Sequence, residues 1–233
     1  MNTTCHWSVG PPWTQHSKRF EGSVARYSRA GIDSGGIRSA VGSVSPARRH
    51  PSIRTRRRRH RHHRLPVVEQ ADLDAVARQL GREPRGVLEI AYRCPNGEPG
   101  VVKTAPRLPD GTPFPTLYYL THPALTAAAS RLESSGLMRE MTERLAGDPE
   151  LAAAYRRAHD DYLAERDAIE PLGTTFSGGG MPDRVKCLHV VMAQSLAKGP
   201  GVNPFGDEAL AILAAEPGMA GILDAGVWTG SRE

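Results

Sequence analysis

The sequence predicts an α+β protein: a small antiparallel sheet of about three strands packed with a mainly helical C-terminal half. Three observations carry that expectation. Short runs rich in β-branched and aromatic residues, separated by Pro/Gly turns, crowd residues 87–120. From Thr121 onward, apolar residues recur at helical spacing. Strands and helices are segregated along the chain rather than alternating, and no internal repeat is present.

The first 64 residues stand apart from this pattern. They hold 14 Lys+Arg against 2 Asp+Glu, a balance of +12. The remaining 16 basic and 23 acidic residues give residues 65–233 a balance of −7. Ser, Gly, Pro and Arg dominate the N-terminal segment without any lasting period, so it reads as a disordered tail. It ends in Arg56–Arg64, six arginines and three histidines without a break. Such a run suits an electrostatic arm for nucleic acid or acidic headgroups, a solvated tail, or leader translated from a misplaced start. Trp7, Trp13 and Tyr27 are too scattered for a base-stacking platform. Nucleic acid is thus expected only through the 1–64 tail, because the rest of the chain is acidic.

Residues 67–228 are expected to form a single globular domain. Ala71–Leu80 carries Leu73, Val76, Ala77 and Leu80 on one face, with Gly81 where a helix C-cap belongs. Val87–Arg93 reads as a strand, Cys94–Gly100 as a turn and Val101–Thr104 as a second strand. A loop holding Pro106, Pro109, Pro113 and Pro115 turns at Asp110-Gly111 before a third strand at Leu117–Leu120. Thr121 can cap a helix that has Pro123 in its first turn and ends before Gly136. A second helix follows at Leu137–Leu145. Asp148-Pro149 opens the longest one, which runs to about Ile169. There Leu151, Ala154, Tyr155, Ala158, Tyr162 and Ile169 form the expected buried stripe, and Arg156, Arg157, Asp160, Asp161, Glu165 and Arg166 the wet face. His159 sits at the border between them. A further helix is expected near Glu208–Ala214, then a short apolar ending at Ile222–Trp228.

The richest chemistry lies between Thr174 and Asp207. A glycine turn, Gly178-Gly179-Gly180, is followed by an expected helix start carrying Asp183, Arg184, Lys186, Cys187 and His189. Glycines ahead of a helix can turn free N–H groups towards an anion, with Arg184 and Lys186 supplying charge. The alternative is a flexible hinge. The spacing matches neither the phosphate-loop nor the dinucleotide pattern. Cys187 near a helix N-terminus and beside Lys186 suits a nucleophile, with His189 as its base. On a regular helix, however, residues i and i+2 point about 200° apart, which favours a buried, inert cysteine. Asp183 is a general-base candidate, but its simpler role is a helix cap. The closing loop, with Asn203, Phe205 and Asp207, can cover the glycine turn.

A metal site is a third option. Cys94, His122 and Cys187 supply a three-ligand set suited to zinc, with water in the fourth position. His122 can instead hydrogen-bond a carbonyl next to Pro123. The three cysteines, Cys5, Cys94 and Cys187, make no disulfide framework and fit a reducing compartment. No apolar run approaches the roughly 18 residues of a membrane helix, and the first 30 residues lack a secretory h-region. The expectation is a cytoplasmic protein.

The motifs RCPNGEPGVV (93–102), FPTLYYLTHP (114–123), GGGMPDRVKCLH (178–189) and GPGVNPFGD (199–207) resemble an actinobacterial family, domain of unknown function 501, over about residues 70–228. The resemblance does not extend to residues 1–64, in keeping with a misplaced start. It implies no assigned activity. The genes that neighbour family members imply a link to cell division or phosphate metabolism. Members often carry cysteine where this chain has His122, an exchange that suits a metal ligand. They often carry histidine where this chain has Gln194. Three functional readings follow: a domain that binds a small anion or a partner protein through the 174–207 loops, a cysteine-dependent enzyme on a phosphorylated or acyl substrate, and a zinc-binding domain.

Overall fold

The computed structural model describes residues 68–230, so the expectations for the 1–64 tail lie outside the described residues. The fold is α+β. In chain order it comprises α1 (Gln70–Leu80), β1 (Val87–Arg93), β2 (Pro99–Thr104), β3 (Tyr118–Leu120), α2 (Pro123–Ser134), α3 (Leu137–Gly147), α4 (Pro149–Ile169), α5 (Leu188–Lys198), α6 (Pro204–Ala214), a 3-10 turn at Pro217–Met219 and α7 (Ala225–Trp228). No helix among the described residues is long and apolar enough to cross a membrane.

Local chemistry accounts for most of these boundaries. Gly81 stops α1 in the left-handed conformation, at φ 68°, where a side chain would be strained. Asp148 caps α4 by accepting a hydrogen bond from Leu151 N–H at 2.9 Å, and Pro149 occupies the first turn. Asn203 does the same for α6, accepting from Gly206 N–H at 3.1 Å. At α2 the capping residue is His122 rather than the expected Thr121. Its ring makes no capping bond, while Thr121 Oγ1 turns towards the Gly100 carbonyl, 3.4 Å away.

The strands form one antiparallel sheet in the order β1-β2-β3, with Ile90 opposite Val102 and Val101 opposite Leu120. The middle strand is the most buried: Val101, Val102 and Thr104 are all inside. Helix α5 forms the axis of the core. Seven of its eleven residues are buried, and it packs on the sheet, α2 and α6. A helix apolar on nearly every side has to lie inside. Its polar members find partners there. Gln194 donates to the Ala158 carbonyl of α4 (2.8 Å) and accepts from Asn203 Nδ2 (2.9 Å), so it ties α4, α5 and the cap of α6 together. Gly206 permits the close crossing of α6 on α5, since a Cβ there would lie 2.2 Å from the Val191 carbonyl oxygen.

Helix α4 departs from its expected faces at one end. Tyr155, Ala158 and Tyr162 are buried as expected, but Ile169 is 37% exposed and Arg166 is fully buried. The chain beyond α4 folds back over the helix and covers the guanidinium. Arg166 donates to the carbonyl oxygens of Thr174 (2.9 Å) and Phe176 and pairs with Asp167 at 2.9 Å. His159, also buried, bonds Ser177 at 2.8 Å. Phe205 packs edge-on against Tyr155 with ring centroids 4.8 Å apart.

Candidate functional site at the start of α5

The segment between α4 and α5 is not a helix start. Gly179 and Gly180 take positive φ values of 63° and 92°, and the chain doubles back on itself. Arg184 N–H donates to the Gly180 carbonyl (3.2 Å) and Lys186 N–H to the Gly179 carbonyl (2.6 Å). Three further bonds pin the returning arm to the helices. Tyr155 Oη donates to the Arg184 carbonyl at 3.3 Å, and Val185 N–H donates to Thr142 Oγ1 of α3 at 3.0 Å. Met181 is buried, with Asn203 Nδ2 3.5 Å from its sulfur.

Helix α5 therefore begins at Leu188, and Cys187 is its capping residue in extended conformation (φ −152°, ψ 114°). This removes the premise that Cys187 and His189 point apart, since only His189 is helical. The sulfur of Cys187 and a ring nitrogen of His189 come within 4.8 Å of each other. A third group, absent from the sequence expectations, completes the cluster: Glu133, in the last turn of α2. Its Oε1 accepts from Leu188 N–H at 2.7 Å and lies 3.0 Å from His189 Nδ1. The sulfur, a ring nitrogen and a carboxylate oxygen all lie within 4.8 Å of one another. Ser130 Oγ, one turn before Glu133, stands 3.5 Å from the other ring nitrogen.

Electrostatics follow from this packing. Burial disfavours charge on His189, but hydrogen bonds to Cys187 and Glu133 and the nearby carboxylate outweigh it and push its pKa up to about 10. Burial likewise works against ionised Glu133, yet bonds from His189, Leu188 N–H and Cys187 hold its pKa below the usual carboxylate value. The pair is a charged bridge between α2 and α5 with a thiol beside it. Cys187, His189 and Glu133 are all half-buried, so the cluster opens to solvent on one side.

The other expected residues lie elsewhere. Asp183 neither caps α5 nor joins the cluster. It lies in the turn, with its side chain 82% exposed and 3.8 Å from Arg156. Arg184 and Lys186 are exposed on the returning arm, and neither side chain has a polar partner among the described residues. Gly178, Gly179 and Gly180 do not stand at a helix N-terminus. They pack against the first turn of α5, where added Cβ atoms would meet Val190, the Cys187 carbonyl and the Arg184 carbonyl. Cys94, His122 and Cys187 are not brought together. Cys94 is buried just after β1, and burial, reinforced by the Glu98 charge, pushes its thiol up to about 11. His122 turns its Nε2 to Glu98 at 2.9 Å rather than to a carbonyl. The gathered ligand set among the described residues is Glu133, Cys187 and His189. Asn203, Phe205 and Asp207 are structural: a helix cap, a core ring, and a carboxylate that accepts from Gly201 N–H at 2.6 Å.

The sequence offers a weak trace of Glu133. Ser130 and Glu133 share a helix face at i, i+3, but nothing in the pattern of α2 separates them from ordinary surface residues.

A family model described as protein of unknown function (DUF501) matches residues 90–211, just over half of the chain. That stretch contains Glu133, Cys187 and His189. Neither a search of curated proteins nor a search of solved structures returned a match.

Proposed function

The chain belongs to the DUF501 family, and from the geometry at the start of α5 we propose that it is a cysteine-dependent enzyme acting on an anionic acyl substrate. One observation carries the proposal: Cys187, His189 and Glu133, drawn from two helices, converge with their reactive atoms within 4.8 Å. Sulfur at a helix N-terminus, with an imidazole in reach to move protons, is placed as a nucleophile. Cys187 attacks the acyl carbon and forms a thioester while the bond to the leaving group breaks. His189 gives its proton to the leaving group, then takes one from the water that hydrolyses the thioester and restores the thiol. Glu133 is a positioning residue: it orients the ring and balances its charge. Arg184 and Lys186, three residues and one residue before Cys187 and exposed, attract the anionic end of the substrate, the role expected of the 174–207 loops.

Trapping tests this directly. Full-length protein is treated with p-nitrophenyl acetate, quenched in acid and mapped by mass spectrometry. Acetyl is expected on Cys187 in excess over Cys94, lost in Cys187→Ser and slowed at least about tenfold in His189→Gln, the typical lower end of an acid–base contribution being larger still. Equal acetylation of both cysteines, or an undiminished rate in His189→Gln, would overturn the assignment.

A further inference from the structure

The three atoms that form the proposed nucleophilic centre also have the composition of a metal site. Tetrahedral zinc binds sulfur at about 2.3 Å and nitrogen or oxygen at about 2.0–2.2 Å, which sets ligand atoms about 3.3–3.8 Å apart. Here His189 Nδ1 and Glu133 Oε1 are already 3.0 Å apart, and no pair in the trio exceeds 4.8 Å. Adjustments of about an ångström, within side-chain reach, close the cage. A thiolate with an imidazole and a carboxylate selects a borderline-soft ion over magnesium or calcium, which prefer all-oxygen sets. Three protein ligands leave a fourth position open to solvent, the form of a reactive rather than a purely structural zinc site.

The surroundings fit as well. A histidine that binds metal through one ring nitrogen normally has the other oriented by a polar partner. Ser130 Oγ stands 3.5 Å from His189 Nε2, leaving Nδ1 for the metal. The carboxylate is itself held by Leu188 N–H at 2.7 Å. The backbone that carries Cys187 is fixed by the bonds from Tyr155 Oη and Val185 N–H described above.

We infer that Glu133, Cys187 and His189 bind a zinc-class divalent cation, and that the bound ion masks the Cys187 nucleophile. The masking rests on the catalytic reading; the binding does not. On binding, any proton held on the sulfur or on Nδ1 is released to solvent, and the sulfur lone pair that would attack a substrate is donated to the metal instead. Zinc then acts as a reversible inhibitor, and its removal exposes the thiol.

Cobalt(II) is the probe, because thiolate ligation gives it a charge-transfer absorption that nitrogen and oxygen ligands do not. Full-length protein carrying Cys5→Ser, so that the N-terminal cysteine contributes no signal, is stripped with chelator and titrated with cobalt. One cobalt per chain with a thiolate band, displaced by one equivalent of zinc, is expected. The band should vanish in Cys187→Ser, and affinity should fall at least about tenfold in Glu133→Ala and in His189→Ala, as even outer-shell changes cost about that much. Since a ligand variant can misfold, alkylation of Cys187 by iodoacetamide is also timed with the ligand set intact. Zinc is expected to slow it at least tenfold and to leave Cys94 unchanged. No thiolate band, a band that survives Cys187→Ser, or alkylation indifferent to zinc overturns the metal site. If alkylation in stripped protein is fast but indifferent to zinc, the metal site fails and the thiol chemistry stands. If cobalt binds through Cys187 but the stripped thiol is inert, the catalytic reading fails and the metal site stands.

Discussion

Replacing Gly180 by alanine separates two explanations of the glycine turn. If the three glycines serve as a hinge, alanine restricts the unfolded chain and stabilises the protein slightly, by about 0.4–1 kcal/mol. The structure gives them another task, which is to let the chain double back against α5. At Gly180 a Cβ would lie 2.6 Å from the Arg184 carbonyl oxygen and 3.0 Å from Lys186 Cγ, at a φ of 92°. The left-handed backbone costs alanine about 1–2 kcal/mol. Overpacking against a carbonyl that Tyr155 Oη also holds adds about 1–3 kcal/mol. The sum, about 2–5 kcal/mol, is a large share of the roughly 5–15 kcal/mol that a domain has. Gly178→Ala is the comparison: its φ is ordinary and its Cβ would meet Val190 Cγ1 at 3.0 Å, so a loss under about 2 kcal/mol is expected. Urea denaturation at neutral pH measures both. A Gly180→Ala protein as stable as wild type would refute the packing argument and return the turn to the hinge reading.

Two further predictions follow from Arg166, which is buried, and Glu165, which is partly buried. Arg166→Met removes the donor to the Thr174 and Phe176 carbonyls and should cost about 2–4 kcal/mol, since bonds from charged donors are worth about 1.5–3 kcal/mol each. Hydrogen exchange over residues 174–177 should rise with it, and unchanged exchange would contradict the pinning role. Glu165 lies between Lys103 and Lys198. Burial opposes its charge, but hydrogen bonds from both lysines and Tyr118 bring its pKa from 4.5 down to about 2. A depressed carboxylate stabilises the fold above its unfolded pKa of 4.5, and that contribution fades as pH falls towards 2. The shift corresponds to ~3 kcal/mol. Glu165→Gln should therefore lower stability at pH 7 by roughly that amount and converge with wild type near pH 2. A constant gap at every pH would refute the linkage.

The parts of the fold that sequence reveals are those set by neighbouring residues. The left-handed Gly81, the Asp148-Pro149 start of α4 and the β1 and β2 runs each depend on a few adjacent side chains, and each forms where the pattern places it, β2 beginning two residues early at Pro99. The misjudged positions depend on residues distant in sequence. Arg166 looks like a wet residue on a helical wheel, and only the returning 174–177 segment buries it. The start of α5 is displaced from Asp183 to Leu188 because the glycine turn consumes residues 178–187 and Glu133 from α2 supplies a bond to the first helical N–H. That displacement also decides the site, because Cys187 in extended backbone comes within 4.8 Å of His189, whereas on a helix the two would point apart. Cys94 and His122 hold types suited to metal, but residue type alone does not show that the turn between β1 and β2 leaves His122 facing Glu98.

Whether Cys187 is a nucleophile is read from its alkylation rate relative to Cys94 and to free glutathione, in chelator-treated full-length protein at pH 6. An ordinary thiol, with a pKa near 8.5, is less than about 1% ionised there and reacts slowly. Cys187 is expected to react at least tenfold faster than glutathione and Cys94 hardly at all, and Glu133→Gln is expected to remove most of the advantage. A Cys187 that reacts no faster than glutathione, or one whose rate Glu133→Gln leaves unchanged, would contradict it.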